Sequence, residues 1–406
     1  MIDLLLDEYS QFSDGYFGSI DGRPVCVFYR EGVFEGCKSD VIELALKVGV
    51  PIVNVFNCED FDISFENLLN LSKFLKILSL ANGVIPRITL FLNKSHWLLS
   101  YQTDFVGMCE KTEYSLVMPD IIKSFTGKDV EISSEFHAKA GNCHLLEESD
   151  EALISSVKKL LSFLPLNNME DPPLAETRDD ARRVVDFEVP KDPYQPYEIK
   201  TLIAQVLDDE EFFEIQECYA QNVIIGFGRL DGMSVGIVAN NPAYKLGCLD
   251  IDGMKKVSSF VRFCDAFNIP VINFIDSPGF LPDFDQEIFG LAKYMSRLLD
   301  IYSQTTTPVM SVIVRKAYSS FIPILIGSDI VFSYQDAEFA VIDADTDSSK
   351  IGIDRKKYVD EIRRKAFDSI VSEVIEIKWT RAKLINALRI LESKRKKLPP
   401  KKCDVL

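Results

Sequence analysis

The feature that most constrains this chain is that it repeats itself, with the same signals in the same order in its two halves. Ile20-Asp21-Gly22-Arg23-Pro24-Val25-Cys26-Val27-Phe28 is a tight turn feeding an alternating strand, and Leu230-Asp231-Gly232-Met233-Ser234-Val235-Gly236-Ile237-Val238 is its counterpart. Asp-Gly between apolar runs supplies the left-handed residues that a two-residue hairpin turn needs. A stretch with apolar residues at helical spacing comes next in each half, Ser39 to Lys47 and Gly253 to Phe267. Each half then enters a β-branched run through a proline, Pro51-Ile52-Val53-Asn54-Val55-Phe56 and Pro270-Val271-Ile272-Asn273-Phe274-Ile275. Continuous runs of this kind suit a strand buried on both faces.

The cycle turns once more. Amphipathic helices predicted over about 65–80 and 286–303 lead to proline-started strands at Ile85 to Phe91 and Thr307 to Val314. Strands alternating with helices predict βαβ units and a mainly parallel sheet in each half. Four matching signals in one order make coincidence between two ordinary α/β halves a poor account. Between them, 167–196 carries Asp171-Pro172-Pro173 and Val189-Pro190-Lys191-Asp192-Pro193 among many charges. It reads as an exposed linker between a domain at 1–166 and another at 197–406.

Composition then excludes several kinds of function. At 406 residues and 47% hydrophobic, the chain has enough apolar matter for a core in each half. Its net charge of -17 would repel a phosphate backbone, so nucleic acid is not an expected partner. Nine cysteines without CxxC spacing are expected to be reduced thiols of a cytoplasmic protein. No basic region precedes an apolar run at the N-terminus and no apolar stretch approaches ~18 residues, so no membrane span is expected. His96, His137 and His144 lack partners at ligand spacing, and no metal is expected. Gly226-Phe227-Gly228 runs into a turn where a dinucleotide-binding loop would open a helix. Asp343-Ala344-Asp345-Thr346-Asp347 lacks the glycine and closing glutamate of a calcium loop and is expected to be a surface loop.

Several stretches of the second half are recognisable: Asp208 to Ile215, Val235-Gly236-Ile237-Val238-Ala239-Asn240, Phe260 to Pro270, Asp276-Ser277-Pro278-Gly279-Phe280-Leu281-Pro282 and Arg315-Lys316-Ala317-Tyr318. They resemble the carboxyltransferase (β) subunits of biotin-dependent acyl-CoA carboxylases, the family of propionyl-CoA carboxylase β and the acyl-CoA decarboxylase subunits. Gly83-Val84-Ile85-Pro86, Pro119 to Ser124 and the tail Leu398-Pro399-Pro400-Lys401-Lys402 extend the likeness over nearly the whole chain. The resemblance implies an α/β fold of two tandem crotonase-like (ββα superhelix) domains. It also implies a hexamer-like assembly with homologous β-type subunits and partnership with a biotin carboxylase/carrier subunit. In the family reaction, carboxybiotin on a separate carrier protein gives its carboxyl group to the α-carbon of an acyl-CoA. Acyl-CoA would sit on the N-terminal domain, biotin on the C-terminal one, and the site would form where two subunits meet. The basic run Lys394-Arg395-Lys396-Lys397 could reach CoA phosphates, although such a run is more commonly a solvated helix end.

The implied chemistry identifies which residues to watch. Charge grows on the thioester carbonyl oxygen as the α-proton leaves, and on the biotin urea oxygen as its nitrogen becomes a base. Backbone N–H pairs at a helix start stabilise such charge, and losing one donor costs ~3 kcal/mol. Glycines let the backbone approach. Where the resemblance implies Ser-Gly-Gly-Ala-Arg right after the Pro51 to Phe56 strand, this chain reads Asn57-Cys58-Glu59-Asp60-Phe61-Asp62. Glu59, Asp60 and Phe61 are therefore degenerate oxyanion-hole positions, two with charge of the wrong sign beside an enolate. A nearby Gly-Gly is also lost, within Lys94-Ser95-His96-Trp97-Leu98. On the biotin side, Arg-Lys-Ala-Tyr-Gly-Gly-Ala becomes Arg315-Lys316-Ala317-Tyr318-Ser319-Ser320-Phe321. Ser319, Ser320 and Phe321 are degenerate there, while Tyr318, Ser320 and Phe321 are the candidate biotin contacts. Glycines are replaced again at Asp283, Phe289 and Asp343. These replacements leave two expectations: a divergent carboxyltransferase, or a catalytically silent subunit, a pseudoenzyme pairing with an intact paralogue.

Overall fold

The computed structural model describes residues 1–31, 40–58, 65–95, 102–115 and 117–400. The chain divides into two compact units, Met1–Asp171 and Pro172–Leu406.

Unit 1 has strands β1 (Glu8–Phe12), β2 (Gly15–Ile20), β3 (Arg23–Glu31), β4 (Ile52–Asn57), β5 (Arg87–Phe91), β6 (Lys94–Ser95), β7 (Phe105–Cys109), β8 (Glu113–Tyr114) and β9 (Leu145–Glu147). Its helices are α1 (Ile2–Leu5), α2 (Asp40–Val48), α3 (Phe65–Leu80), α4 (Pro119–Thr126), α5 (Ser134–Lys139) and α6 (Asp150–Phe163). The main sheet runs β1-β2-β3-β4-β5-β7-β9, antiparallel as far as β3 and parallel after it, and β6 pairs with β8 in a small second sheet.

Unit 2 repeats the plan with β10 (Phe212–Ile215), β11 (Val223–Leu230), β12 (Met233–Asn240), β13 (Val271–Ser277), β14 (Val309–Tyr318), β15 (Ile330–Tyr334), β16 (Glu338–Ala340) and β17 (Glu373–Ile375). Its helices are α7 (Ile199–Val206), α8 (Ile251–Ala266), α9 (Phe284–Ile288), α10 (Leu291–Gln304), α11 (Ile322–Gly327), α12 (Ala344–Ile351), α13 (Arg355–Ser369) and α14 (Thr380–Leu391). The sheet order is β10-β11-β12-β13-β14-β15-β17, with β16 pairing the far end of β14.

The duplication reaches individual hydrogen bonds. Both Asp-Gly turns have two residues at positive φ, 50° and 72° at Asp21-Gly22 and 55° and 79° at Asp231-Gly232. Each turn is held by an upstream carboxylate: Asp7 accepts from the Asp21 amide at 2.6 Å, and Asp208 accepts from Asp231 and Gly232 at 3.1 and 2.7 Å. The strand pair β5/β7 begins with Asp104 accepting from the Arg87 amide at 2.8 Å, as β14/β15 begins with Asp329 accepting from the Val309 amide at 2.8 Å. The central strands β5, β13 and β14 are buried along their whole length, their mostly apolar residues interrupted by polar ones such as Arg87, Asn273, Asp276, Ser311, Arg315 and Lys316 that hydrogen-bond inside the unit.

Three expectations need correcting. The helix predicted over 286–303 is two helices, because Gly290 adopts a left-handed φ of 92° and the chain turns between α9 and α10. The acidic run at 343–347 is the start of α12, with Asp343 accepting from the Thr346 amide at 2.8 Å as its N-cap. Asp347 is buried and accepts from the Val341 amide and the Tyr358 hydroxyl, both at 2.8 Å. Residues 172–196 contain no helix or strand, yet they are seated on unit 2: the Ala175 amide donates to Gly232 and the Val185 amide to Lys378, with Val185 2% exposed.

Candidate functional site

Parallel strands bring their C-terminal ends to one edge of a sheet, the usual place for a ligand in an α/β unit. In unit 2 those ends are Asn240 of β12, Ser277 of β13 and Tyr318 of β14. They are drawn together around Asp276. Its Oδ2 accepts from the Tyr197 hydroxyl at 2.8 Å and from Arg315 Nε at 2.9 Å. Its Oδ1 accepts from the Lys316 amide at 3.3 Å, with Lys316 Nζ at 3.8 Å. The carboxylate and the Lys316 side chain are fully buried. Burial pushes the Asp276 carboxyl up against the pull of Lys316 and Arg315, and pushes the Lys316 amine down against the pull of Asp276.

The loops at this edge are as constrained. Gly247 has φ 76°, and a Cβ there would lie 2.5 Å from the Asp276 carbonyl oxygen, so only glycine fits. Lys245 and Leu246 precede it at φ 48° and 54°, with Lys245 Nζ held at 2.6 Å from Asp250, the N-cap of α8. Side chains rarely adopt such backbone, and its concentration beside strand ends is typical of functional loops. The amide of Leu249 donates to the Gly279 carbonyl at 3.0 Å, knitting Asp276-Ser277-Pro278-Gly279 into the same edge.

The turn Ser319–Phe321 leaves β14 and opens α11. The Tyr318 ring is 2% exposed and its hydroxyl donates to Glu338 at 3.3 Å; the Phe321 ring is also 2% exposed. Bulk at 321, where the resemblance implies alanine, is thus taken up by the interior of unit 2. Burial pushes the Tyr318 hydroxyl well above its ordinary range, and it stays protonated as a donor. Arg315 and Lys316 turn inward to Asp276 and to main-chain carbonyls. Charge stabilisation at this edge would therefore rest on backbone N–H groups of the turn. Two replaced glycines have structural roles, since Asp283 caps α9 by accepting from the Asp285 amide and Asp343 caps α12. Nothing in the structure explains Phe289, which is 69% exposed.

In unit 1 the corresponding ends are Asn57 and Phe91. The Lys94 amide donates to the Cys58 carbonyl at 3.0 Å, and Asn93 Nδ2 donates to Asn57 Oδ1 at 2.5 Å. Glu59, Asp60 and Phe61, like His96, Trp97 and Leu98, lie outside the described residues. Burial pushes the Cys58 thiol up, away from nucleophilic use.

The other histidines serve the fold. His137 Nε2 donates to the Tyr114 carbonyl at 2.7 Å, which leaves Nδ1 to accept from Asn142 at 3.1 Å. His144 Nδ1 accepts from the Val106 amide at 3.1 Å, and burial pushes it down to about 4. Among the described residues no cluster suited to a metal occurs, and no helix is long and apolar enough to cross a membrane. Two lysines of the C-terminal basic run are already engaged: Lys396 Nζ donates to the carbonyls of Ser303 and Thr305, and Lys394 Nζ to the Thr307 carbonyl and Asp329.

Two ββα units in tandem, each with a twisted main sheet and short strands set off it, define a crotonase-like protein of the carboxyltransferase architecture. Residues 17–406 match the carboxyl transferase domain family. The chain is 36% identical to the propionyl-CoA carboxylase carboxyltransferase subunit of Haloferax mediterranei and 37% identical to the methylmalonyl-CoA decarboxylase subunit alpha of Veillonella parvula. Each comparison covers 95% of this chain and 83% of the relative. The transcarboxylase 12S structure, a hexamer with hydrolysed methylmalonyl-CoA bound, superposes with a TM-score of 0.94 at 30% identity, covering 100% of this chain and 91% of that one. This protein belongs to the carboxyl transferase family, as a carboxyltransferase subunit of the biotin-dependent acyl-CoA carboxylase kind.

Proposed function

We propose that the chain takes an acyl-CoA on unit 1 and biotin, borne by a separate carrier protein, on unit 2, in a cytoplasmic assembly with homologous β-type subunits. Backbone donors at Ser320 and Phe321 would serve the biotin urea oxygen. The observation that carries this reading is the preserved frame of β14: Arg315 to Tyr318 are buried, the Arg315 Nε and Nη1, the Lys316 Nζ and the Tyr318 hydroxyl all donate to partners, and the four residues deliver the 319–321 turn to the start of α11. Relatives of carboxylase, decarboxylase and transcarboxylase names all match over most of the chain, so the class of reaction is better supported than its direction.

One observation favours a second reading, a subunit that keeps the architecture without the chemistry. Glu59 and Asp60 follow Cys58 just past the end of β4, within the stretch where the resemblance implies the glycine-bearing Ser-Gly-Gly-Ala-Arg motif. Carboxylates there oppose an enolate. The test is to assay carboxyl transfer from a carboxybiotinylated carrier to acetyl-, propionyl- and longer acyl-CoA, with the chain alone and together with an intact homologue. Turnover by the isolated chain supports the enzyme. No turnover alone, joined with stable co-assembly and unaltered activity of the homologue, supports the silent subunit.

A further inference from the structure

We propose that Asp276, Arg315, Lys316 and Tyr197 form a positioning hub that ties the 319–321 turn to residues 192–197, so that the two segments move as one body. Residues 192–197 contain Pro193 and Pro196 and no helix or strand. Without those two N–H groups the segment is a poor partner for a sheet ladder, and side-chain donors bind its carbonyls instead. Arg315 and Lys316 supply them. Arg315 Nη1 donates to the Asp192 and Gln195 carbonyls at 2.7 and 2.9 Å, and Lys316 Nζ to the Pro193 carbonyl at 2.6 Å. The two cations also lie over rings of the same segment, Arg315 at 4.9 Å from Tyr197 and Lys316 at 5.9 Å from Tyr194.

Asp276 closes the circuit. One carboxylate holds the Tyr197 hydroxyl from the segment, the Arg315 side chain, and the main chain of β14 at Lys316. Lys316 lies two residues before Tyr318, where β14 ends and the turn begins. Beyond that carboxylate, the Asp276 amide donates to Asn240 at 3.4 Å, which brings in the end of β12. A buried ion pair is weak evidence for stability, since apolar packing could serve as well. What apolar packing could not do is grip three carbonyls and a strand end at once, and that grip points to positioning. That the turn serves biotin rests on the preceding proposal; the coupling does not.

Hydrogen–deuterium exchange of the full chain tests the hub without substrate. Arg315→Met is expected to raise exchange by about tenfold both at 194–197 and at 317–321, with α8 unchanged. Arg315→Lys, which keeps the charge and a single donor nitrogen, is expected to recover part of the protection in both segments together. Tyr197→Phe removes only a hydroxyl and is expected to loosen both segments by a smaller factor, which keeps the test open if Arg315→Met does not fold. A rise confined to 192–197, or none at all, overturns the coupling. Loss of carboxyl transfer with exchange unchanged would count against the hub and leave the proposed reaction standing.

Discussion

The two units share a backbone plan and differ in how far their polar wiring is complete. Asn273 of unit 2 accepts from the Tyr302 hydroxyl at 2.7 Å and donates to Ser311 at 3.1 Å, and Ser311 shares a bond with Ser328 at 2.7 Å. Its counterpart Asn54 has one long bond to Thr89 at 3.3 Å, and its buried Oδ1 finds no hydrogen-bond partner among the described residues. Unit 1 instead concentrates polarity in Arg87, whose guanidinium reaches Asp104 at 2.6 Å, the Leu78 carbonyl at 3.0 Å and Asn82 at 2.9 Å. The matching carboxylate of unit 2, Asp329, takes Lys394 from the far end of the chain. A duplicated backbone survives because apolar strand patterns are tolerant. Hydrogen-bond networks diverge because each needs several partners at once.

Breaking the Arg87–Asp104 pair is the strongest test of this contrast. Asp104→Ala leaves a guanidinium in a 4% exposed residue without its carboxylate, and about 3–5 kcal/mol should be lost on chemical denaturation. Lys394→Ala in unit 2 should cost about 1 kcal/mol or less, since its partner Asp329 is partly solvated. Equal losses would show that the buried pair of unit 1 and the partly solvated pair of unit 2 contribute alike.

Acid should separate the units next, because all three histidines lie in unit 1. His144 is neutral in the fold with its value pushed down to about 4. The unfolded chain therefore binds the proton first. The stability this group contributes is complete above ~6.5 and is lost as pH falls from there toward 4, by at most ~1.4 kcal/mol per pH unit. Denaturation midpoints measured across that window should fall for unit 1, and His144→Asn should flatten the fall.

Gly247→Ala should cost about 1–3 kcal/mol, since the new Cβ meets the Asp276 carbonyl and a left-handed φ together. Melting temperature measures it, and an unshifted value would mean the edge of unit 2 is looser than its bonds suggest. The paired asparagines test the wiring directly. Tyr302→Phe strands the Asn273 oxygen and should cost about 1–3 kcal/mol, whereas Asn54→Leu removes an amide that is already half-satisfied and should stay within about 1 kcal/mol of neutral. Comparable costs at both would erase the difference in wiring.

Much of this architecture is legible in the sequence. Asp-Gly turns and proline-led β-branched runs are local signals, and each lands on a turn or a buried strand. Gly290 is visible too, but periodicity across 286–303 masks the single left-handed residue that breaks the helix. Asp343 reads as part of a loop because an N-cap aspartate and a loop aspartate are told apart only by whether the next residues wind into a helix. At the candidate site, Arg315 to Tyr318 are readable as a frame. Their inward orientation is not, because it depends on carbonyls of 192–195 that are remote in sequence and belong to a stretch whose prolines and charges suggest solvent.

The lysines near the carboxyl end carry a practical lesson for anyone shortening this chain. Lys394 and Lys396 fold back to bind the carbonyls of Ser303, Thr305 and Thr307, beside the end of α10. A truncation placed after α14, at what looks like a dispensable basic tail, would remove both donors and strip a helix end rather than trim a loose terminus. Boundaries for expression are better set beyond Pro400.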